Sequence, residues 1–90
     1  MDMNTECSIA MYHFCELNGW GHGSIHEVGQ KDGVYDIHIH VRLNDVDDIK
    51  IVPDGYTIGP VYTGDYVAFE IFKDGRKLCV LYPDLPDSVA

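Results

Sequence analysis

Ninety residues, 46% hydrophobic and 23% charged, suffice for one globular core, since a chain of this length buries only about 60–65% of its unfolded surface. No run approaches the roughly 18 continuous apolar residues that span a bilayer, and the acidic start Met1-Asp2-Met3-Asn4-Thr5-Glu6 lacks the basic and apolar regions of a secretory signal, so the expectation is a cytoplasmic protein with no membrane partner. Fifteen acidic residues against six basic ones give a net charge of −9, which removes the general attraction to polyanions on which nucleic-acid binding usually rests.

In chain order, residues 1–7 read as a flexible N-terminal segment, 8–82 as the folded domain and 83–90 as a tail. Ser8 to Glu16 has β-compatible residues and no Gly or Pro, and reads as a first strand. Gly23 to Gly29, with Ile25 and Val28, reads as a second, connected through Lys31-Asp32-Gly33. From Val34 to Leu43, Tyr35, Ile37, Ile39, Val41 and Leu43 alternate with Asp36, His38, His40 and Arg42, the period of a half-buried strand with a histidine-bearing outer surface. Asn44 to Gly64 is a long connection with a Pro53-Asp54-Gly55 turn inside it. Tyr66 to Lys73 alternates again, with Val67, Phe69 and Ile71 inward. Asp74-Gly75 then separates it from the apolar run Leu78 to Tyr82, a strong hairpin signal because a type I′ turn needs positive φ at both central residues. The count predicts an all-β fold: a five-stranded antiparallel barrel of the oligonucleotide-binding type. Cys7, Cys15 and Cys79 are odd in number, widely spaced and without a C-x-x-C pair. That spacing argues against a disulfide framework or a four-thiolate zinc site.

Several segments resemble the cold-shock domain family. Asp36-Ile37-His38-Ile39-His40-Val41 is similar to the family's second ribonucleoprotein motif, roughly [DN]-[VI]-F-V-H-[FV]. Asn18-Gly19-Trp20-Gly21-His22 and Gly23-Ser24-Ile25 are similar to the first, roughly K-G-[FY]-G-F-[IV], in either of two registers. One places Trp20 and His22 at the aromatic positions, with two extra residues before Ile25; the other places His22 and Ser24 there. The first keeps the preceding strand in step and is preferred. His13-Phe14-Cys15 looks like the family's W-F-N, and Gly64-Asp65-Tyr66-Val67-Ala68-Phe69-Glu70-Ile71 like its fourth strand.

The resemblance implies an open aromatic face on strands one to three that stacks the bases of single-stranded RNA or DNA. Its residues would be Tyr12, His13, Phe14, Trp20, His22, His38 and His40, with Arg42 beside them. Lys73, Arg76 and Lys77 around the last hairpin would add half of the basic charge. A rival reading takes the acidity as the function: a protein-binding domain on the same barrel, a nucleic-acid mimic or an inhibitor of phage type that docks a basic protein partner. His38 and His40, about 6.5–7 Å apart on one strand face, would need a third ligand from His13 or His22 to hold zinc; no Cys or Glu spacing supports one, so no metal or other cofactor is expected. No nucleophile signature, phosphate loop or paired carboxylates accompany the histidines, so no catalytic residue is expected and the chain does not read as an enzyme.

Overall fold

The structure, a computed structural model, describes residues 5–21, 25–41, 43, 46–62 and 66–83. Its elements are a helix α1 (Thr5–Asn18), strands β1 (Ile25–Lys31), β2 (Val34–Ile39), β3 (Tyr56–Tyr62), β4 (Val67–Lys73) and β5 (Arg76–Pro83), and one 3-10 turn at Val46–Asp48. Strands dominate, as the alternating sequence predicts.

The expected first strand over Ser8–Glu16 is instead the body of α1. Cys7, Ala10, Met11, Phe14 and Cys15 recur at i, i+3, i+4, i+7 and i+8, which is one face of a helix, and all five are buried. Ala10 and Met11 are both buried between the exposed Ile9 and Tyr12, and a period of two cannot put two adjacent residues on one face. Glu6 places a negative charge in the first turn, where the helix dipole favours it.

The helix stops at Gly19, whose φ is 76°. The Gly19 N–H donates to the Glu16 carbonyl at 3.4 Å and the Trp20 N–H to the Cys15 carbonyl at 2.8 Å, the paired bonds of a Schellman cap. Asn18-Gly19-Trp20, expected to present a stacking aromatic, therefore serves as a helix stop, and Trp20 packs half-buried against the core. The Asn18 side chain extends the cap: Nδ2 donates to the Phe14 carbonyl at 2.9 Å and the Ile51 carbonyl at 2.8 Å, and Oδ1 accepts the Ile51 N–H at 2.9 Å. One amide thus closes the helix and pins the long connection to its end.

Two Asp-Gly hairpins build the sheet. Asp32 and Gly33 have φ of 55° and 80°, Asp74 and Gly75 of 54° and 76°; positive φ at both central residues is the type I′ requirement. The Pro53-Asp54-Gly55 turn closes with the Tyr56 N–H on the Pro53 carbonyl at 3.2 Å, with Gly55 at φ 90°, the type II pattern. It launches β3, which occupies part of the stretch expected to be loop. Gly59-Pro60 interrupt the apolar pattern of β3, and its place at a sheet edge is where Pro is tolerated.

The strand order is β1-β2-β5-β4-β3. β2 and β5 pair in parallel, from Tyr35↔Cys79 to Ile39↔Pro83, while the other pairs are antiparallel. The sheet is therefore mixed, which corrects the all-antiparallel expectation. β1 and β3 stand at its two ends, and among the described residues no pairing joins them into a closed barrel. The reason lies in the connection from β2: it crosses to the far edge, and the β3-β4-β5 meander then returns β5 beside β2. That order sets the buried pairs Ile37, Ile39 and Cys79, Leu81 next to each other at the centre. Inward residues Ile37, Ile39, Val67, Phe69 and Ile71 are buried as predicted, and Val41 is half-buried against the same cluster. Phe14 meets Tyr56 edge-to-face, ring centroids 5.9 Å apart.

Phe14→Ala is expected to cost about 3–5 kcal/mol, as for other buried aromatics, and Asn18→Ala about 0.5–1.5 kcal/mol from the part-buried and exposed bonds it loses. Urea denaturation of the two variants checks both; a Phe14→Ala protein as stable as the parent would contradict the helix-on-sheet packing.

Candidate interaction face of the sheet

With α1 packed on one face of the sheet, alternation along each strand turns the remaining side chains to the other. Asp36 and His38 leave β2 on this outer face. In the β1–β2 register His26 lies directly opposite His38, and in the parallel β2–β5 register Tyr82 lies beside it. The rings of His38 and Tyr82 stack with centroids 5.1 Å apart and planes at 29°. Tyr66, just ahead of β4, meets Tyr82 at 6.3 Å with planes at 55°. His38 is exposed and Tyr66 is 39% exposed, so the row His38-Tyr82-Tyr66 is open to an incoming surface.

The row has a polar border. Asp36 brings its negative charge near the Tyr82 phenol. Further along, Glu70 accepts a bond from Lys77 Nζ at 2.9 Å. Tyr82 holds its proton above the ordinary phenol range. Burial is the main cause, followed by the negative charge of Asp36 and the neighbouring Tyr66, with Lys77 opposing.

The residues predicted for a single stacking face are distributed over the molecule. His38 lies on the outer face, and His40 is exposed just beyond the end of β2. Tyr12 and His13 are exposed on α1, which covers the opposite face. Phe14 is fully buried in the core, and Trp20 belongs to the helix cap. His22 and Arg42 lie outside the described residues. The basic group at the last hairpin is divided: Lys73 Nζ sits 5.6 Å from the centre of the Tyr56 ring, Arg76 is ion-paired with Glu6 of α1, and Lys77 turns to Glu70. A strand and a helix at the two ends of the predicted site cannot present their side chains to one surface once they form separate layers. Tyr66, Tyr82 and Asp36 take their place. Tyr82 ends the apolar run that begins at Leu78, so its chemistry was visible in the sequence, but its juxtaposition with His38 depends on the parallel pairing.

Among the described residues, no three His, Cys, Asp or Glu side chains come together at metal-binding spacing, and no helix is long and apolar enough to cross a membrane. Compared with protein-family models, with curated proteins and with solved structures, the chain matches none.

The raised Tyr82 phenol has a consequence for stability. The unfolded chain ionises this phenol near pH 10 and the folded protein later, so the stabilisation is fully present below about pH 10 and is lost as pH rises through the folded value. Alkaline titration of tyrosine absorbance should lose its latest-titrating component in Tyr82→Phe. The parent should also lose stability more steeply than this variant above about pH 10.

Proposed function

We propose that this is an acidic protein-binding module that docks a basic partner on the outer sheet face around Tyr66, Tyr82, His38, Asp36 and Glu70. The observation that carries this reading is the use of the cations. Arg76 pairs with Glu6, Lys77 with Glu70, Lys73 lies over Tyr56 and Lys50 Nζ bonds the Asp47 carbonyl at 3.2 Å. Four of the six basic residues are thus engaged within the protein, against an excess of nine negative charges. Such a field speeds the approach of a positively charged surface and repels a phosphate backbone. Tyr66 and Tyr82 supply the aromatic anchors on which protein interfaces concentrate their binding energy. The two free edges are blunted, β3 by Pro60 and β1 by a bulge between Glu27 and Gly29, which disfavours strand addition and leaves the face as the surface for docking.

A second reading, single-stranded RNA or DNA binding, is favoured by one observation: the His38-Tyr82-Tyr66 row lies on an uncovered sheet face, where stacked bases would contribute about 1–3 kcal/mol each. Trp20, packed on the core side, is a poor reporter of either event. Amide chemical shifts followed during titration at low ionic strength separate the two readings, with an arginine- and lysine-rich peptide in one arm and a single-stranded oligonucleotide in the other. The peptide is expected to shift Asp36, His38, Glu70, Tyr66 and Tyr82, with an association rate that falls steeply with salt. Tyr66→Ala is expected to weaken it by about 1–2 kcal/mol, as truncation of an interface tyrosine does. Shifts on this face from the oligonucleotide alone would favour the second reading, and a silent face in both arms would remove it as a binding surface.

A further inference from the structure

The outer face of the sheet carries two carboxylates in one row. Asp36 of β2 and Glu70 of β4 are both register partners of Val80 on β5, the strand between them. Their chain neighbours Ile37, Phe69 and Ile71 are fully buried, so alternation turns both acids outward. Two strand spacings separate them, about 9.5 Å across the sheet. Aromatic rings border the row on both sides. Along β5, Tyr82 stands two residues beyond Val80, stacked on His38 and tilted at 55° to Tyr66. Along β4, Phe72 stands two residues beyond Glu70, on the opposite side of the row. Its ring lies by Gly59, where an added Cβ would come within 3.6 Å of it, and Gly59 is the partner of Glu70 on β3. Resting on the docking reading above, the geometry points to the kind of segment that docks here: a proline-rich chain in the polyproline II conformation, lying across the strands with arginines three residues apart on Asp36 and Glu70.

The spacing of the acids selects the conformation. A polyproline II helix has three residues per turn and rises about 3.1 Å per residue, so residues i and i+3 share one side about 9.3 Å apart. In a β-strand, residues sharing a side lie about 6.7 Å apart at i+2 and about 13 Å apart at i+4, and neither distance spans the two acids. An α-helix comes nearer, with about 10.5 Å between i and i+7. The aromatic borders separate it from polyproline II, since proline-rich chains dock on surfaces lined by such rings. A polyproline II backbone also makes no internal hydrogen bonds and stays solvated, so it needs only the side chains that this face offers and no free strand edge. Arginine suits both ends of the row, because its guanidinium forks to a carboxylate and lies flat on an aromatic ring. Lys77 takes Oε2 of Glu70 at 2.9 Å. A carboxylate accepts at both oxygens, so an arriving guanidinium joins that pair without displacing it.

The test follows amide chemical shifts of the full chain during titration with four peptides of equal length, each carrying two arginines, at low ionic strength. In the first the arginines stand three residues apart in a proline run. In the second one more proline sets them four apart, about 12.4 Å, and turns the second arginine off the shared side. The third places them two apart among threonine and valine, which favour a strand. The fourth places them seven apart in an alanine-rich helix. The first peptide is expected to shift Asp36, Glu70, Phe72 and Tyr82 together and to bind about tenfold tighter than the other three. Asp36→Asn and Glu70→Gln should each weaken it about three- to tenfold, the loss of one charged contact. If either variant does not fold, the peptide series on the parent decides alone. A preference for the first peptide below about threefold, or tightest binding by any other, would overturn this inference while leaving the docking of a basic partner in place. A face silent toward all four would overturn both.

Discussion

The apolar stripe of α1 is the constraint on which the rest of the molecule depends. Met11 and Phe14 are completely buried, in one cluster with Ile37, Phe69, Ile71 and Leu81 of the three central strands. A helix of 14 residues is about 21 Å long, enough to cover one face of a small sheet and only one. Because α1 supplies half of the sandwich, no second sheet or barrel closure is needed to bury the strands' inward residues. The same economy leaves the other face of the sheet open, and that open face is where His38, Tyr82 and Tyr66 meet.

The helix cap links this packing to the topology. Gly19 ends α1, and Asn18 holds the backbone of Ile51 with two bonds while closing the last turn with a third. The long connection is thereby anchored shortly before the Pro53-Asp54-Gly55 turn, and β3 starts at the far edge instead of continuing next to β2. The β3-β4-β5 meander then brings β5 back alongside β2 in parallel. Everything specific to the outer face follows from that step, since Tyr82 reaches His38 only through the parallel register, and Asp36 reaches the Tyr82 phenol by the same route. The same helix–sheet joint buries Cys7 of α1 and Cys79 of β5 in one cluster.

Charge acts at a different level from fold. The hairpin cations Lys73, Arg76 and Lys77 are close in sequence but point to three places, because alternation and the bulge between Ile71 and Phe72 send successive side chains to different sides. One holds the helix through Glu6, one borders the aromatic row through Glu70, and one rests on Tyr56 at the edge of the core. Exposed ion pairs of this kind contribute little stability. Their effect is to satisfy the cations locally and leave the long-range field acidic.

The strands β2, β4 and β5, both Asp-Gly hairpins and the inward residues from Ile37 to Ile71 are legible in the sequence, because each depends on neighbours one to four residues apart: a period of two, or a turn that tolerates positive φ. The helix was legible too, in the spacing of Cys7, Ala10, Met11, Phe14 and Cys15, yet its residues are equally compatible with a strand when taken one at a time. β3 was obscured by Gly59-Pro60, which are acceptable only at an edge, and being an edge is a property of the whole sheet. The parallel pair and the stacking of Tyr82 on His38 were decided by tertiary structure alone. Each joins residues more than forty positions apart, and no local preference of the chain distinguishes among such pairings. They are selected together by the arrangement that buries the helix stripe and the two most apolar strands in one core.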